Sequence, residues 1–281
     1  MQIRPLSDHL GAEVRGLDLS APLSDEQFAD VHRTFIDHKM LCFKEQSLSA
    51  RAQVDFSRRF GPLMVHVLTQ YNHPEFPEIF RLSNRVIDGV PQGIADGGSY
   101  WHSDFAFFEK PAKATLLNAI EIPAEGGNTL FANMEAAWEA LPAEQQRRLR
   151  PLKAVHRYRK RSDTTEQTTR VELTEAQRQQ TPDVVHPLIR TNGDSGRLAI
   201  FAHPGMTAEI VGLPEAESRA LLDELFAHCT RPEFRYEFRW SAGDVVIWDN
   251  RSTMHSATTR ELPAGVHRSL LRTTMQGERP H

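Results

Sequence analysis

The stretch FRYEFRWSAGDVVIWDN, residues 234–250, decides the fold. Phe234, Tyr236, Phe238 and Trp240 alternate with charged residues, the period-two pattern of a strand with one buried face. Ser241-Ala242-Gly243-Asp244 breaks the chain, and Val245 to Trp248 follows as a wholly apolar run of strand length. Outward from this pair, Arg268 to Met275 reads as the next strand. Upstream, short strand candidates lie at Ile79 to Leu82, Thr115 to Ile120, Thr129 to Ala132, Val184 to Arg190 and Arg197 to Phe201, separated by Gly, Pro, Asn and Asp. Helical stretches interrupt them at Met134 to Leu141, Ala143 to Leu149 and Pro214 to His228. Nearer the amino terminus, Ser24 and Gln27 form a capping-box pattern ahead of Phe28, Val31 and Phe35, which leads into the strand Met40 to Phe43. Ser49 to Arg59 makes a second short helix, ended by Gly61-Pro62. Many short strands with helices as insertions predict a mainly β fold with inserted helices (α+β), a sandwich or jelly roll rather than a parallel α/β sheet.

No Ser/Gly/Pro-rich linker divides the 281 residues, so one domain spanning residues 1–281 is expected. With 40% apolar residues, 25% charged, 15 Phe and 4 Trp, the chain can bury a large core. A formal charge of −4 offers nucleic acid or an anionic membrane no general attraction, and neither is an expected partner. The amino terminus lacks the apolar core of a signal peptide and no later run is long enough to span a bilayer, so a cytoplasmic location is expected. Cys42 and Cys229 show neither CxxC spacing nor a disulfide framework and read as buried free thiols. A basic run, Arg147, Arg148, Arg150, Lys153, Arg157, Arg159, Lys160 and Arg161, reads first as a solvated helix end and edge strand. The functional alternative is a positive rim that draws in small anions.

His102-Ser103-Asp104 is the first candidate for chemistry, because alternate residues of an extended segment can present an imidazole and a carboxylate to one ion. Frequency does not single it out. With 13 His and 37 acidic residues in 281, composition predicts 13 × 37/281, about 1.7, His-x-acid pairs, and the chain holds two, the other being His73-Pro74-Glu75. Context separates them. His73 lies in a Pro-rich loop, whereas His102 stands between the Gly-rich Asp96-Gly97-Gly98-Ser99 and an aromatic run at Phe105, where a loop enters an apolar interior. A charged Asp104 there needs a partner, and a divalent metal would supply one.

His255, after the Val245 to Trp248 strand and the turn residues Asp249-Asn250, is the third candidate ligand. The following strand puts Arg268, Leu270, Arg272 and Thr274 on one face, and two arginines on one face mean either solvent or a cavity that receives anions. Two His and one carboxylate leave three positions of an octahedral Fe(II) open, enough for a bidentate 2-oxo acid and oxygen. The far carboxylate of 2-oxoglutarate then suits the planar fork of an arginine.

Trp101-His102-Ser103-Asp104, Gly126-Gly127-Asn128-Thr129, Trp248-Asp249-Asn250-Arg251 leading to His255, and then Arg268 and Arg272 closely resemble, in order and spacing, the taurine dioxygenase and dichlorophenoxyacetate dioxygenase family of 2-oxoglutarate-dependent enzymes. The likeness runs from Gly11-Ala12 to the last strand. It implies a double-stranded β-helix (jelly roll) with the metal inside its mouth. It also implies Fe(II) on His102, Asp104 and His255, 2-oxoglutarate on Thr129 and Arg268, and a substrate anion on Arg272 and His66. The presence of Asp104 implies hydroxylation rather than halogenation. Positions that flank the substrate in the taurine enzyme correspond to Thr69, Ser162 and Met206, which are not aromatic here, so the resemblance implies an anion hook without an aromatic lining and a substrate other than taurine. A small anionic carboxylate or sulfonate, aryloxyalkanoate or alkylsulfonate, and O2 are the expected partners, with self-association into a homo-oligomer. Three readings stay open beside this one: a non-catalytic jelly-roll binding protein, a zinc hydrolase on the same three ligands, and a nucleic-acid demethylase.

Overall fold

The computed structural model describes residues 1–158 and 173–281; Arg159, Lys160, Arg161 and Ser162 lie outside the described residues. Ser24 caps the helix Asp25–His38 as its sequence requires: Ser24 Oγ accepts the Gln27 N–H at 3.1 Å and Gln27 Oε1 accepts the Ser24 N–H at 2.9 Å. Val31 and Phe35 turn inward against Leu41, Phe43, Leu116, Val245 and Ile247. The helix stops at Lys39, whose left-handed backbone (φ 63°) sends the chain directly into the strand Met40–Phe43.

A seven-stranded sheet runs in the order Gln2–Pro5, Ala12–Arg15, Met40–Phe43, Val245–Asp249, Ala112–Glu121, Ser269–Gln276, Phe80–Ser83. Its pairings are antiparallel except between Ala12–Arg15 and Met40–Phe43. A second sheet of three strands, Arg235–Phe238, Thr129–Asn133 and Thr253–Ala257, packs on it. Between the two, Phe131 and Phe238 meet Leu117, Val246, Trp248 and Leu270, with the Phe131 and Trp248 rings edge-on at 5.4 Å. Truncating either ring to Ala would cost about 3–5 kcal/mol. One cavity is lined from both sheets, by Leu117, Trp248 and Arg272 of the larger and by Thr129 and His255 of the smaller.

The Val184 to Arg190 expectation is corrected by Pro187 and Leu188. Val184–Pro187 pairs with Lys153–His156, and Ile189–Thr191 pairs instead with Leu198–Ile200, so one apolar run serves two sheets. A proline cannot continue the ladder with a donor, and the break falls there. Lys153–His156 is not an edge strand either: it is the centre of a three-stranded sheet, between Val184–Pro187 and Thr207–Ile210. The rest of the described basic run is solvated as expected, with Arg147, Arg148 and Arg150 exposed and Arg157 paired to Asp183 at 2.8 Å. Phe234 belongs to a tight turn begun by Pro232, and the strand covers Arg235–Phe238 only. Among the described residues no helix is long and apolar enough to cross a membrane.

Three buried histidines, His156, His186 and His203, lie around Phe201. Burial is the main cause that depresses all three, His186 to about 4, reinforced at His156 by its two neighbours and at His186 by Arg190, while the carbonyl of Phe108 opposes it at His186. A histidine held below its unfolded value of 6.5 stabilises the fold above that pH and loses the contribution as pH falls. From His186 alone the loss between pH 7 and pH 5 is about 2 kcal/mol. Urea titrations of the metal-free protein should therefore show a lower midpoint at pH 5 than at pH 7. Equal midpoints would mean that these imidazoles are not held neutral.

Candidate metal centre

His102 enters from a loop and is stitched to the strand Thr253–Ala257 by a reciprocal backbone pair, His102 N–H to His255 O at 2.9 Å and His255 N–H to His102 O at 2.8 Å. The imidazole centroids stand 4.2 Å apart. A loop histidine and a strand histidine thus face each other because the backbone pairs them. Gly98 lets the loop pass over the ring, since a Cβ there would lie 2.6 Å from His102 Cε1. Asp104, two residues on, completes a group whose ligand atoms all lie within 4.8 Å of one another; it is the one such His/Cys/Asp/Glu group among the described residues. Asp104 Oδ1 is 3.8 Å from His102 Nε2, and Oδ2 is 3.8 Å from His255 Nε2. His73 is not part of it: its Nδ1 accepts the Glu75 N–H at 3.2 Å in the loop.

The protonation states suit a metal. His102 Nδ1 lies 2.7 Å from the carbonyl of Tyr100, so Nδ1 carries a proton and Nε2 is the nitrogen that faces Asp104. His255 is pushed down to about 3, by burial first and then by His102 and Arg272 against the pull of Asp104, and it is neutral. Burial by itself would raise the Asp104 pKa. Arg272, the two histidines and the Thr115 hydroxyl outweigh it and hold the carboxyl well below its usual range. Two imidazoles and one carboxylate, buried and convergent, form a donor set for a divalent first-row ion with open positions.

Arg268 and Thr129 lie beside this group in one cavity, with Leu117, Trp248, Leu262 and Ser83. Arg268 is 6% exposed; its Nε donates to Gly127 O at 2.9 Å, and its guanidinium lies 5.9 Å from the Trp240 ring. Among the described residues no carboxylate pairs with it, and burial alone lowers its pKa to about 10. Gly127 makes the approach possible, as a Cβ there would stand 2.9 Å from Arg268 Cδ. Thr129 Oγ1 accepts the Trp240 indole N–H at 3.0 Å, which leaves its own proton to donate.

Arg272 is the wall between this cavity and a second one. Its Nη1 meets Asp104 Oδ1 at 3.3 Å, its buried Nε has no hydrogen-bond partner among the described residues, and its guanidinium lies between the rings of Phe80 (4.8 Å) and Phe105 (5.6 Å). His66 lines the second cavity, its ring 4.1 Å from that of Phe80. His66 Nδ1 accepts the Leu68 N–H at 3.0 Å, so Nε2 carries the donor proton. Burial, then Arg272, depresses its pKa well below 6.5. Met206 lines this cavity too, but Thr69 is exposed and does not, and Ser162 lies outside the described residues.

The expectation of a pocket without aromatic lining is overturned. Phe80, Tyr100, Phe105, Phe107 and Tyr158 surround the second cavity from other positions. Phe105 takes a positive φ of 54°, uncommon for a bulky residue, at the point where the chain turns Asp104 toward the histidines and the ring toward His66. Thr115 and Asn250, which contact Asp104, carried no sequence signal as site residues beyond the Trp-Asp-Asn-Arg run that contains Asn250.

Comparison with known proteins agrees with this geometry. The family model described as taurine catabolism dioxygenase TauD, TfdA family matches residues 2–274. An alpha-ketoglutarate-dependent 2,4-dichlorophenoxyacetate dioxygenase from Cupriavidus pinatubonensis is 36% identical over 96% of this chain and 96% of its own. The crystal structure of AAD-2 in complex with Mn(II) and N-oxalylglycine has a TM-score of 0.84 at 31% identity, covering 99% of each chain. A taurine dioxygenase structure from Burkholderia xenovorans has the same TM-score and identity, over 99% of this chain and 90% of its own. The chain belongs to the TauD, TfdA family of dioxygenases.

Proposed function

We propose that the chain is an Fe(II)- and 2-oxoglutarate-dependent dioxygenase that hydroxylates a small aryl-bearing anion, an aryloxyalkanoate rather than an alkylsulfonate, with release of succinate and CO2. The two packed sheets are read as a double-stranded β-helix with the site in its mouth. His102, Asp104 and His255 hold the metal. The observation that carries the reading is Arg268, a buried cation beside those three residues that no carboxylate of the described chain neutralises. A dicarboxylate that reaches the metal with one end and Arg268 with the other satisfies both at once. A zinc hydrolase or a plain binding module gives Arg268 no such task.

When bound, iron activates O2 and 2-oxoglutarate supplies the electrons as it loses CO2. The chain's own residues place the reactants. Arg268 and Thr129 bind the distal carboxylate of the co-substrate. Arg272 and the Nε2–H of His66 bind the substrate anion from the other side of Asp104, and Phe80, Phe105, Phe107, Tyr100 and Tyr158 hold its ring. The dichlorophenoxyacetate enzyme from Cupriavidus pinatubonensis acts on an aryl-bearing anion of this kind, which supports the choice.

Arg268→Ala and Arg272→Ala should separate the two sites at saturating Fe(II). Arg268→Ala should raise the KM for 2-oxoglutarate by about 30-fold or more, the effect of losing about 2–5 kcal/mol from a buried charge pair, with a much smaller change for the substrate. Arg272→Ala should weaken a phenoxyacetate substrate selectively. Equal losses of 2-oxoglutarate affinity in both variants would contradict the division. The wild type should also prefer phenoxyacetates to linear alkylsulfonates in kcat/KM, and the opposite order would rule out the aryl assignment.

A further inference from the structure

Alternation along the strand Val245–Asp249 carries into the turn that follows it. Trp248 and Asn250 face the metal group, while Asp249 and Arg251 pair with each other behind it at 2.8 Å. Asn250 lines neither of the two cavities, yet it is 1% exposed and makes bonds at every polar atom of its side chain.

The orientation of that amide is dictated by its neighbours. Asn250 Oδ1 faces two groups that can only donate, the indole N–H of Trp248 at 3.1 Å and the backbone N–H of Asp104 at 3.1 Å. Turning the amide over would set N–H groups against N–H groups. Nδ2 therefore points at Thr115 and donates to its Oγ1 at 2.9 Å. A hydroxyl has one proton, and Thr115 sends it to Asp104 Oδ2 at 2.6 Å. Ser103 Oγ adds a bond to the carbonyl of Asn250 at 2.7 Å, so Ser103 and Asp104 are both tied to this one residue. Thr115 is itself fully buried in the interior strand Ala112–Glu121, opposite Trp248.

We propose that Thr115 and Asn250 are positioning residues that set the affinity of the site for its divalent ion. They hold the Asp104 carboxylate at one rotation before the ion arrives, so that binding does not have to order it. The inference rests on the reading of His102, Asp104 and His255 as the ligands. Partners that orient a metal ligand in this way typically contribute about 10–100-fold in metal affinity.

The test is Co(II) binding to the metal-free protein without 2-oxoglutarate, followed by calorimetry and by the ligand-field absorption of bound Co(II). Thr115→Val keeps the shape and removes the hydroxyl; it should weaken Co(II) binding by at least about 10-fold. Thr115→Ser restores the hydroxyl and should recover most of the wild-type affinity and the wild-type absorption. Far-UV circular dichroism and thermal melts establish that the variants are folded. If Thr115→Val does not fold, Thr115→Ala against Thr115→Ser is judged by the same criterion. A loss below about 10-fold, or a Ser variant no better than the Val variant, overturns the proposal while leaving the ligands in place. Co(II) bound by Asp104→Ala as tightly as by wild type overturns it in a different way, by removing the ligand assignment beneath it.

Discussion

Three charges share one apolar space, and burying them together is the constraint on which the rest of the structure depends. Asp104, Arg268 and Arg272 are each under 10% exposed, and among the described residues only Asp104 and Arg272 neutralise one another. Counted over the described residues the space is positive by one charge and Arg268 has no carboxylate partner, a costly state in a medium that solvates ions poorly. A divalent ion, a dianionic co-substrate and a monoanionic substrate bring the total to zero and give every charge an opposite neighbour. The site is thus poised to gain free energy from its full complement of ligands.

Holding such a space open takes a rigid surround. Asp249 and Arg251 form a fully buried pair, Arg251 also reaches Asp194 at 2.8 Å, and Lys113 meets Asp194 at 3.0 Å. Lys39, at the left-handed end of the first helix, meets Glu135 at 3.2 Å, and Ser252 donates to the same carboxylate at 2.7 Å. Asn192 joins Asp249 to Ser252. These contacts pin the turn between the strands Val245–Asp249 and Thr253–Ala257 from behind, and that turn carries Asn250 on one side and leads to His255 on the other. A buried network of this kind adds specificity of geometry more than net stability.

Much of this was legible in the sequence because the signals were local. Period-two alternation located the strand Ser269–Gln276 that bears Arg272 and begins just after Arg268, and the Gly-rich approach to His102 marked a loop entering the interior; the strand Thr253–Ala257 under His255 was not anticipated, since His255 was placed only by the turn before it. Contacts made across the fold were not legible. Thr115 is eleven residues from Asp104 and Asn250 is 146 away, and neither spacing has a periodic signature. The aromatic lining comes from Phe80 on an edge strand and from Phe105, whose ring direction depends on a positive φ that no propensity predicts for phenylalanine. Thr69 was assigned by position in a resemblance, and a short turn at Thr69–Tyr71 leaves it in solvent while Leu68 faces inward. The strand that Pro187 divides was misjudged because both halves are apolar and only their partners distinguish them.

The central claim is that a metal at His102, Asp104 and His255 and the cation of Arg268 grip the two ends of one 2-oxo acid. Its most direct test is an anaerobic titration of the Fe(II)-loaded protein with 2-oxoglutarate, followed by the visible metal-to-ligand charge-transfer absorption. The absorption should saturate at one equivalent in the wild type, require far more 2-oxoglutarate in Arg268→Ala, and fail to form in Asp104→Ala. A wild-type protein that binds 2-oxoglutarate equally well with and without iron, and develops no such absorption, would contradict the account.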